Sequence, residues 1–263
     1  QIHDGAQRNA VHVATLLATE SEWSAGTSIV MDIGTNTEIS LVHAGSITSV
    51  SCPSGPALEG GHISCGMRAA EGAIERVRIR GDRVEHQVIG DAAAVGLCGS
   101  GVLDTVAEMR RAGILDRRGR MLAGHPAVRE SEGRRELVLA PEVSFTQDDV
   151  RAVQLAKAAV RSGIDLLLRE AGIADASIRR VLIAGAFGAY IDVSSALASG
   201  LVPDLPLERF TQVGNAAGVG VGMALASLAM RERSRSIAAR CRYLGLGSLP
   251  GFQKAFLGRI GFD

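Results

Sequence analysis

Short apolar runs and small polar turns alternate from residue 28 to residue 51. Ile29, Val30 and Met31 run into Asp32, Gly34-Thr35-Asn36 follows, and Ile39 and Leu41 then alternate with Ser40. After Ala44-Gly45 a third run covers 47–51. Period-two patterning bounded by turn residues predicts three consecutive antiparallel strands, a meander. Ahead of it, Val11, Ala14 and Leu17 or Ala18 share one side of a helical period, predicting a helix over 9–19. Over 74–89, Val77 and Ile79 alternate with Arg76, Arg78 and Arg80, Gly81-Asp82 makes a two-residue turn, and Val84, His86 and Val88 alternate on the return. This predicts a hairpin with a solvated arginine face and a half-buried His86. A helix is expected over about 102–112, stopped by Gly113. Residues 116–144 are charged and turn-rich apart from a short strand at 136–140, which suggests a surface insertion. The strongest helical pattern covers 146–171, where Val150, Val153, Ala156, Val160, Ile164, Leu167 and Leu168 form a stripe. Arg151, Gln154, Arg161, Asp165 and Arg169 fall mostly opposite, Thr146 caps it, and Asp149 completes a capping box. Its length would be roughly 39 Å. Residues 180–184 read as a buried strand, and Asp192 caps a helix over 193–199 that Gly200 ends. From Gly214-Asn215 a small-residue helix is expected to Met230, then an arginine-rich one to about Arg242.

Composition limits the classes of function. Of 263 residues, 46% are apolar and 21% charged, a globular balance. Only 3% are aromatic, so the core must be aliphatic. Zero formal net charge gives no general argument for nucleic acid or an acidic membrane surface as a partner. The arginines at 231, 233, 235, 240 and 242 have no interleaved aromatics and read as a solvated face. The uncharged stretch 211–230 has the length of a membrane span, but Gln212, Asn215, Ser227 and its glycines favour a buried, closely packed helix. The four cysteines, Cys52, Cys65, Cys98 and Cys241, form no C-x-x-C pair, and reduced thiols in a cytoplasmic protein are expected. The chain does not begin with Met and lacks a signal-peptide core, so it is expected to be a piece of a longer protein.

The candidate chemistry lies in the turns. Gly34 permits close backbone approach, and Thr35, Asn36 and Thr37 bring N–H groups and short polar side chains suited to phosphate oxygens. Asp32 is placed to hold Mg²⁺ through water. An ordinary hairpin turn explains the same residues equally well. The loop over 51–72 is long and irregular, as functional loops are, and Ser54, Gly55 and Glu59 are candidates there for a cleft or partner contact, against the plain reading of Glu59 as a solvated or capping residue. His62 and Cys65 form an H-x-x-C without a second pair nearby. Gly99 and Ser100 precede a helix and suit either an anion or a simple cap. Gly185, Ala186, Phe187 and Gly188 turn a strand toward a helix in a nucleotide-binding arrangement, although G-x-G-x-x-G is absent.

D-x-G-T-N-T between strands, followed later by strand-AGAFG-helix, resembles the actin, sugar-kinase and heat-shock-chaperone ATPase (ASKHA) superfamily. The first element looks like its second phosphate loop and the later one like its adenosine motif, with Gly214 and Asn215 opening the closing helix beside the nucleotide. Within it, MDIGTNTEISLV, SGPALEGGHISCGMRAAEGAIERV, GLCGSGVLD, TQDDVRAVQLAKAAVRSGID, IAGAFGAYID, GLVPD and VGNAAGVGV are similar to the RACo-like reductive activators of corrinoid proteins. The resemblance runs from about Asn9 to the C-terminus. It implies an α/β, ribonuclease H-like lobe: a mixed sheet flanked by helices, with an inserted hairpin and loop. It implies ATP and Mg²⁺ as cofactors, a corrinoid protein as partner, a homodimer, and ATP-coupled return of Co(II) corrinoid to Co(I) for methyl transfer. Electrons would enter through a [2Fe–2S] domain N-terminal to this chain. Two departures stand out: the chain has no cluster-binding cysteine run, and it has one D-x-G-T loop where the two-lobed fold uses two. Residues 1–263 are therefore expected to form the C-terminal lobe of the ATPase domain, carrying half a nucleotide site with weak or absent hydrolysis of its own. Two alternatives are an ATP-driven activator of the 2-hydroxyacyl-CoA dehydratase or benzoyl-CoA reductase type, bridging a [4Fe–4S] cluster through Cys52, Cys65 or Cys98, and a non-catalytic docking and dimerisation domain.

Overall fold

The computed structural model describes residues 2–131, 133–185, 187–188 and 190–262. Its elements are α1 (Ile2–Ala18), α2 (Glu20–Trp23), β1 (Ser28–Asp32), β2 (Thr37–His43), β3 (Ser46–Cys52), β4 (Ala73–Arg80), β5 (Arg83–Val88), β6 (Gly96–Leu97) and α3 (Gly99–Arg111). Then come β7 (Val128–Ser131), β8 (Arg134–Ala140), β9 (Val143–Thr146), α4 (Gln147–Ala171), β10 (Arg180–Ala184), α5 (Val193–Ser199), β11 (Phe210–Gly214), α6 (Ala216–Ala226), α7 (Leu228–Arg240), β12 (Cys241–Tyr243) and α8 (Phe252–Gly258). They fall into two compact units.

The first unit comprises Gln1–Cys52, Gly163–Ala189 and Leu205–Phe252. Its mixed sheet has the order β11-β10-β1-β2-β3-β12. The expected meander is present as β1-β2-β3, and β10 and β11 add to β1 in parallel. Alternation along the strands gives the sheet two apolar faces. Val30, Val42, Ile47 and Leu182 pack in one cluster with Leu16 and Leu17 of α1, Trp23 of α2 and Ile237 of α7. On the other face α4 comes close enough at Gly163 that a Cβ there would lie 2.3 Å from Cys52 Sγ and 3.6 Å from Ile39 Cδ1. The helix expected over 9–19 already begins at Ile2. The helix expected to reach Met230 breaks at Ser227, whose extended backbone ends α6 and whose Oγ accepts from Met230 N to cap α7. The expectation that it is buried holds on one side only. Gly220 sits so tightly on α1 that a Cβ would lie 1.9 Å from Ala14 O, while Val219, Val221 and Leu225 are exposed. Among the described residues no helix is long and apolar enough to cross a membrane.

The second unit comprises Pro53–Ser162, Tyr190–Asp204 and Gln253–Asp263. The β4–β5 hairpin forms as expected, with β6 parallel to β4. Its arginine face is not simply solvated. Arg76 lies 3.7 Å and Arg78 3.8 Å from the fully buried Asp104 of α3, and Arg78 also pairs with Glu108 and Asp192. His86, expected half-buried, is exposed. Residues 116–144 hold more structure than one strand: β7, β8 and β9 form a sheet of their own that buries Leu137, Leu139, Val143 and Phe145. The capping box of α4 is present, with Thr146 N donating to Asp149 Oδ2 (2.8 Å) and Asp149 N to Thr146 Oγ1 (3.2 Å). The polar side of α4 is not solvated at Gln154 and Arg161, which are buried along with Lys157. Gln154 reaches the Ile260 carbonyl (2.9 Å), and the Lys157 ammonium lies 4.9 Å above the Phe262 ring, so the C-terminal tail covers that face. The single strong periodicity of 146–171 therefore understates how completely the helix is enclosed.

His12 supplies a pH-dependent term in the first unit. It is buried, its Nε2 lies 2.5 Å from Ser40 Oγ, and burial lowers its pKa from 6.5 to about 4. Below pH 6.5 the unfolded chain takes up a proton that the folded chain refuses. Stability should thus fall as pH drops from 6.5 to about 4, by up to roughly 3 kcal/mol from this residue. Urea unfolding of wild type and His12→Gln across that range checks this: the variant should lose part of the slope, and equal slopes would contradict the assignment.

Candidate functional site

Parallel pairing brings three distant stretches to one edge of the sheet. Asp32, the last residue of β1, is in register with Ala184, the last of β10, and Ala184 is in register with Gly214, the last of β11. The strands leave the sheet stitched together, Ile33 N donating to Ala184 O (3.0 Å) and Gly185 N to Gly214 O (3.1 Å). Such carboxyl ends are where open α/β sheets bind ligands. The glycine at 185 is sterically required. Its φ is +97°, and a Cβ there would lie 2.5 Å from Ile33 O and 2.8 Å from Asp32 Oδ1.

Asp32 is half-buried, and its carboxylate is anchored on one side. Thr15 Oγ1, fully buried on α1, donates to Asp32 Oδ2 at 2.7 Å, and Oδ1 faces Gly185. Thr15 is a site residue that the chain's pattern did not single out. Its only signal is a polar position three residues after His12 on the face that α1 turns to the sheet. Beyond Asp32, Gly34 is half-buried and Thr35 and Asn36 are exposed, whereas Thr37 is buried at the start of β2. In the turn after β10, Phe187 and Gly188 are buried, and Gly188 O accepts from Gln212 Nε2 (2.8 Å). Ala186 lies outside the described residues. Gly214 turns the chain with φ +62°, and Asn215 caps α6 by accepting from Gly218 N (2.9 Å). This edge thus combines a positioned carboxylate, a short exposed polar turn and a helix N-terminus. That donor set fits a phosphate with a hydrated Mg²⁺, a hard cation suited to carboxylate oxygen.

Ser54, Gly55, Glu59, Gly99 and Ser100 all belong to the second unit. Ser54 is buried, Gly55 has φ +69°, and Glu59 is exposed at the end of a short 3₁₀ turn. Gly99 and Ser100 are buried, with Ser100 Oγ 3.3 Å from Cys98 Sγ. Packing accounts for Gly101 in the same turn, where a Cβ would lie 2.1 Å from Ile74 O. Of the three cysteines considered for an iron–sulfur cluster, Cys52 and Cys98 are buried and Cys65 is half-buried. Cys52 is sealed beneath Gly163, where burial and then Glu38 push its thiol up, and Cys98 is buried against Ile74 O. Among the described residues no group of three or more His, Cys, Asp or Glu is arranged to hold a metal ion.

Comparison with known proteins adds four findings. The family described as the C-terminal domain of RACo, the ASKHA domain, matches residues 26–262. The chain is 39% identical over 207 residues to the corrinoid activation enzyme RamQ of Eubacterium limosum, covering 72% of this chain and 35% of that protein. It is 29% identical over 227 residues to the [Co(II) methylated amine-specific corrinoid protein] reductase of Methanosarcina barkeri, covering 78% and 40%. The chain thus spans less than half the length of these relatives. A solved reductive activator for a corrinoid, iron–sulfur protein superposes with TM-score 0.88 at 34% identity, over 96% of this chain and 42% of that one.

Gly185→Ala tests the geometry of the edge. With a positive φ and no room for a methyl group, it should cost about 2 kcal/mol or more of stability. Chemical denaturation checks this, and a loss under about 0.5 kcal/mol would show that the strands do not approach as described.

Proposed function

The chain belongs to the family of RACo C-terminal ASKHA domains, and from that premise we propose that it is the nucleotide-binding part of an ATP-dependent reductive activator of a corrinoid protein. In this reading the full-length protein returns the Co(II) corrinoid of a methyltransferase system to Co(I), a one-electron reduction driven by ATP. The observation that carries it is the convergence of Asp32, Gly185 and Gly214 at the ends of three adjacent parallel strands. When bound, Mg-ATP would supply the driving force for an uphill electron transfer. Asp32, held by Thr15, would hold the Mg²⁺ through its hydration shell. The turn formed by Gly34, Thr35 and Asn36, with Thr37 fixing its exit into β2, contacts phosphate oxygens. Gly185 to Gly188 line the adenosine side, and Asn215 fixes the N-terminus of α6 toward the nucleotide.

The proposal covers one side of the nucleotide, because the sequence holds a single D-x-G-T loop. A second phosphate loop and the [2Fe–2S] electron carrier are assigned to other segments of the full-length protein. Burial of Cys52 and Cys98 leaves only the half-buried Cys65 of the three candidate cysteines, which speaks against the alternative of a [4Fe–4S] cluster bridged through this chain. Ser54, Gly55, Glu59, Gly99 and Ser100 are kept as a weaker proposal for cleft or partner contact, Glu59 being the exposed one. A homodimer and a cytoplasmic setting belong to the same reading, the latter supported by four free cysteines.

The test is calorimetry of Mg-ATP binding, with turnover, on the full-length protein. Asp32→Ala should lose about tenfold or more in Mg-ATP affinity or turnover, and Thr15→Val should lose less in the same direction. Equal affinity and equal turnover in wild type and Asp32→Ala would sink the assignment.

A further inference from the structure

A groove of about 1030 Å³ lies wholly within the second unit, between the turn at 116–121, the β7-β8-β9 sheet and the first turns of α4. The turn is tied down from behind. Arg118 N and Arg120 N both donate to Asp116 Oδ1 (2.8 Å each), and Met121 N donates to Gln147 Oε1 (2.7 Å). Gln147 Nε2 donates to Gly119 O (2.8 Å) and Gln154 Nε2 to Arg118 O (3.0 Å). On this fixed backbone the side chains of Arg118 and Arg120 are exposed, line the groove, and make no ion pair among the described residues. The acids of the groove are already matched: Glu130 with Arg135 (2.7 Å), Glu136 with Arg129 (2.7 Å) and Asp148 with Arg151 (3.2 Å). The lining as a whole holds five arginines against three acids, so the groove carries a net positive charge.

We propose that this groove docks a carboxylate-rich segment of a partner protein. The inference goes beyond the nucleotide reading and does not rest on it. Charge complementarity calls for an anionic occupant, and the hydrogen bonding leaves no backbone N–H cradle for a bound phosphate. One common kind of phosphate site is a cradle of converging backbone N–H groups. Here the amides of Arg118, Arg120 and Met121 are spent on Asp116 and Gln147, and Thr146 N and Ser64 N are spent on Asp149. What remains is the exposed guanidinium groups of Arg118, Arg120 and Arg134 along one elongated polar groove, which suits carboxylates arriving one at a time from a polypeptide.

The test uses the full-length protein and a fluorescein-labelled polyglutamate peptide, read by fluorescence anisotropy. Wild type should bind the peptide, and affinity should fall roughly tenfold between about 20 and 200 mM salt. The variant Arg118→Glu/Arg120→Glu should bind about tenfold or more weakly at low salt. Arg68→Glu/Arg83→Glu makes the same charge change on exposed residues of this unit that do not line the groove, and should bind as wild type does. Equal loss in the two variants would overturn the groove in favour of net charge alone. Displacement of the peptide by tripolyphosphate at lower concentration than by unlabelled polyglutamate would overturn the polypeptide in favour of a phosphate ligand. If the charge-reversed groove variant unfolds, Arg118→Gln/Arg120→Gln carries the test, with an intermediate loss expected and wild-type affinity contradicting the proposal. Mg-ATP affinity, measured alongside, should not change in any of these variants, so failure here and failure of the nucleotide reading are told apart.

Discussion

Contact between the peptide after β1 and Gly185 after β10 is the constraint on which the candidate site depends. There is no space for a Cβ between Gly185 and the Ile33 carbonyl, so the two strand ends touch backbone to backbone. That contact sets Asp32 beside Gly185, and the parallel register carries the same alignment across to Gly214 and the cap of α6. Both apolar faces of the sheet must be covered for such an edge to be rigid. The α1, α2 and α7 cluster covers one face and the C-terminal part of α4 the other. The same α1 that supplies Leu16 and Leu17 to the core places the Thr15 hydroxyl on Asp32, so packing and site geometry share one helix. This is the physical content of membership in the RACo C-terminal ASKHA family for this chain.

The second unit is organised by charge to an unusual degree. Asp104 is fully buried, and its pKa is raised by burial, against the pull of Ser195, Arg76 and Arg78. Arg76 and Arg78 from β4 and Asp192 and Ser195 at the start of α5 gather around it. Burying such a group costs more than a surface pair returns, and removing one partner would leave the others exposed to that cost. The network therefore fixes how β4, α3 and α5 fit together more than it adds net stability. Arg118 and Arg120 of the groove are the reverse case: their backbone is fixed, and their side chains are exposed and make no ion pair among the described residues.

Local chemistry was legible in the sequence wherever cause and effect lie within a few residues. The β1-β2-β3 meander, the Gly81-Asp82 hairpin, the capping box at Thr146 and Asp149, and the helix begun by Asp192 and ended by Gly200 all form as their residues dictate. The convergence of the Asp32 turn, the Gly185 turn and Gly214 was accessible only through the order of motifs, because the strands that join them are about 150 and 30 residues apart and periodicity carries no register between them. Other features depended on distant partners. Period two correctly put Arg76 and Arg78 on one face of a strand, but the acids that cover that face come from α3 and α5. Gln154 and Arg161 sit on the polar side of α4 as the pattern says, yet they are buried, because a helix pattern cannot show what covers its far side. Thr15 was missed for the same reason, since its role exists only through Asp32.

The central claim is that this edge of the sheet, and no other surface of the chain, takes the phosphates. A crystal structure of the full-length protein with Mg²⁺ and a non-hydrolysable ATP analogue tests it most directly. The account predicts phosphate oxygens against the turn at Gly34, Thr35 and Asn36, a metal-bound water on Asp32, and the adenosine beside Gly185 to Gly188. A nucleotide bound with its phosphates away from Asp32 and that turn would contradict it.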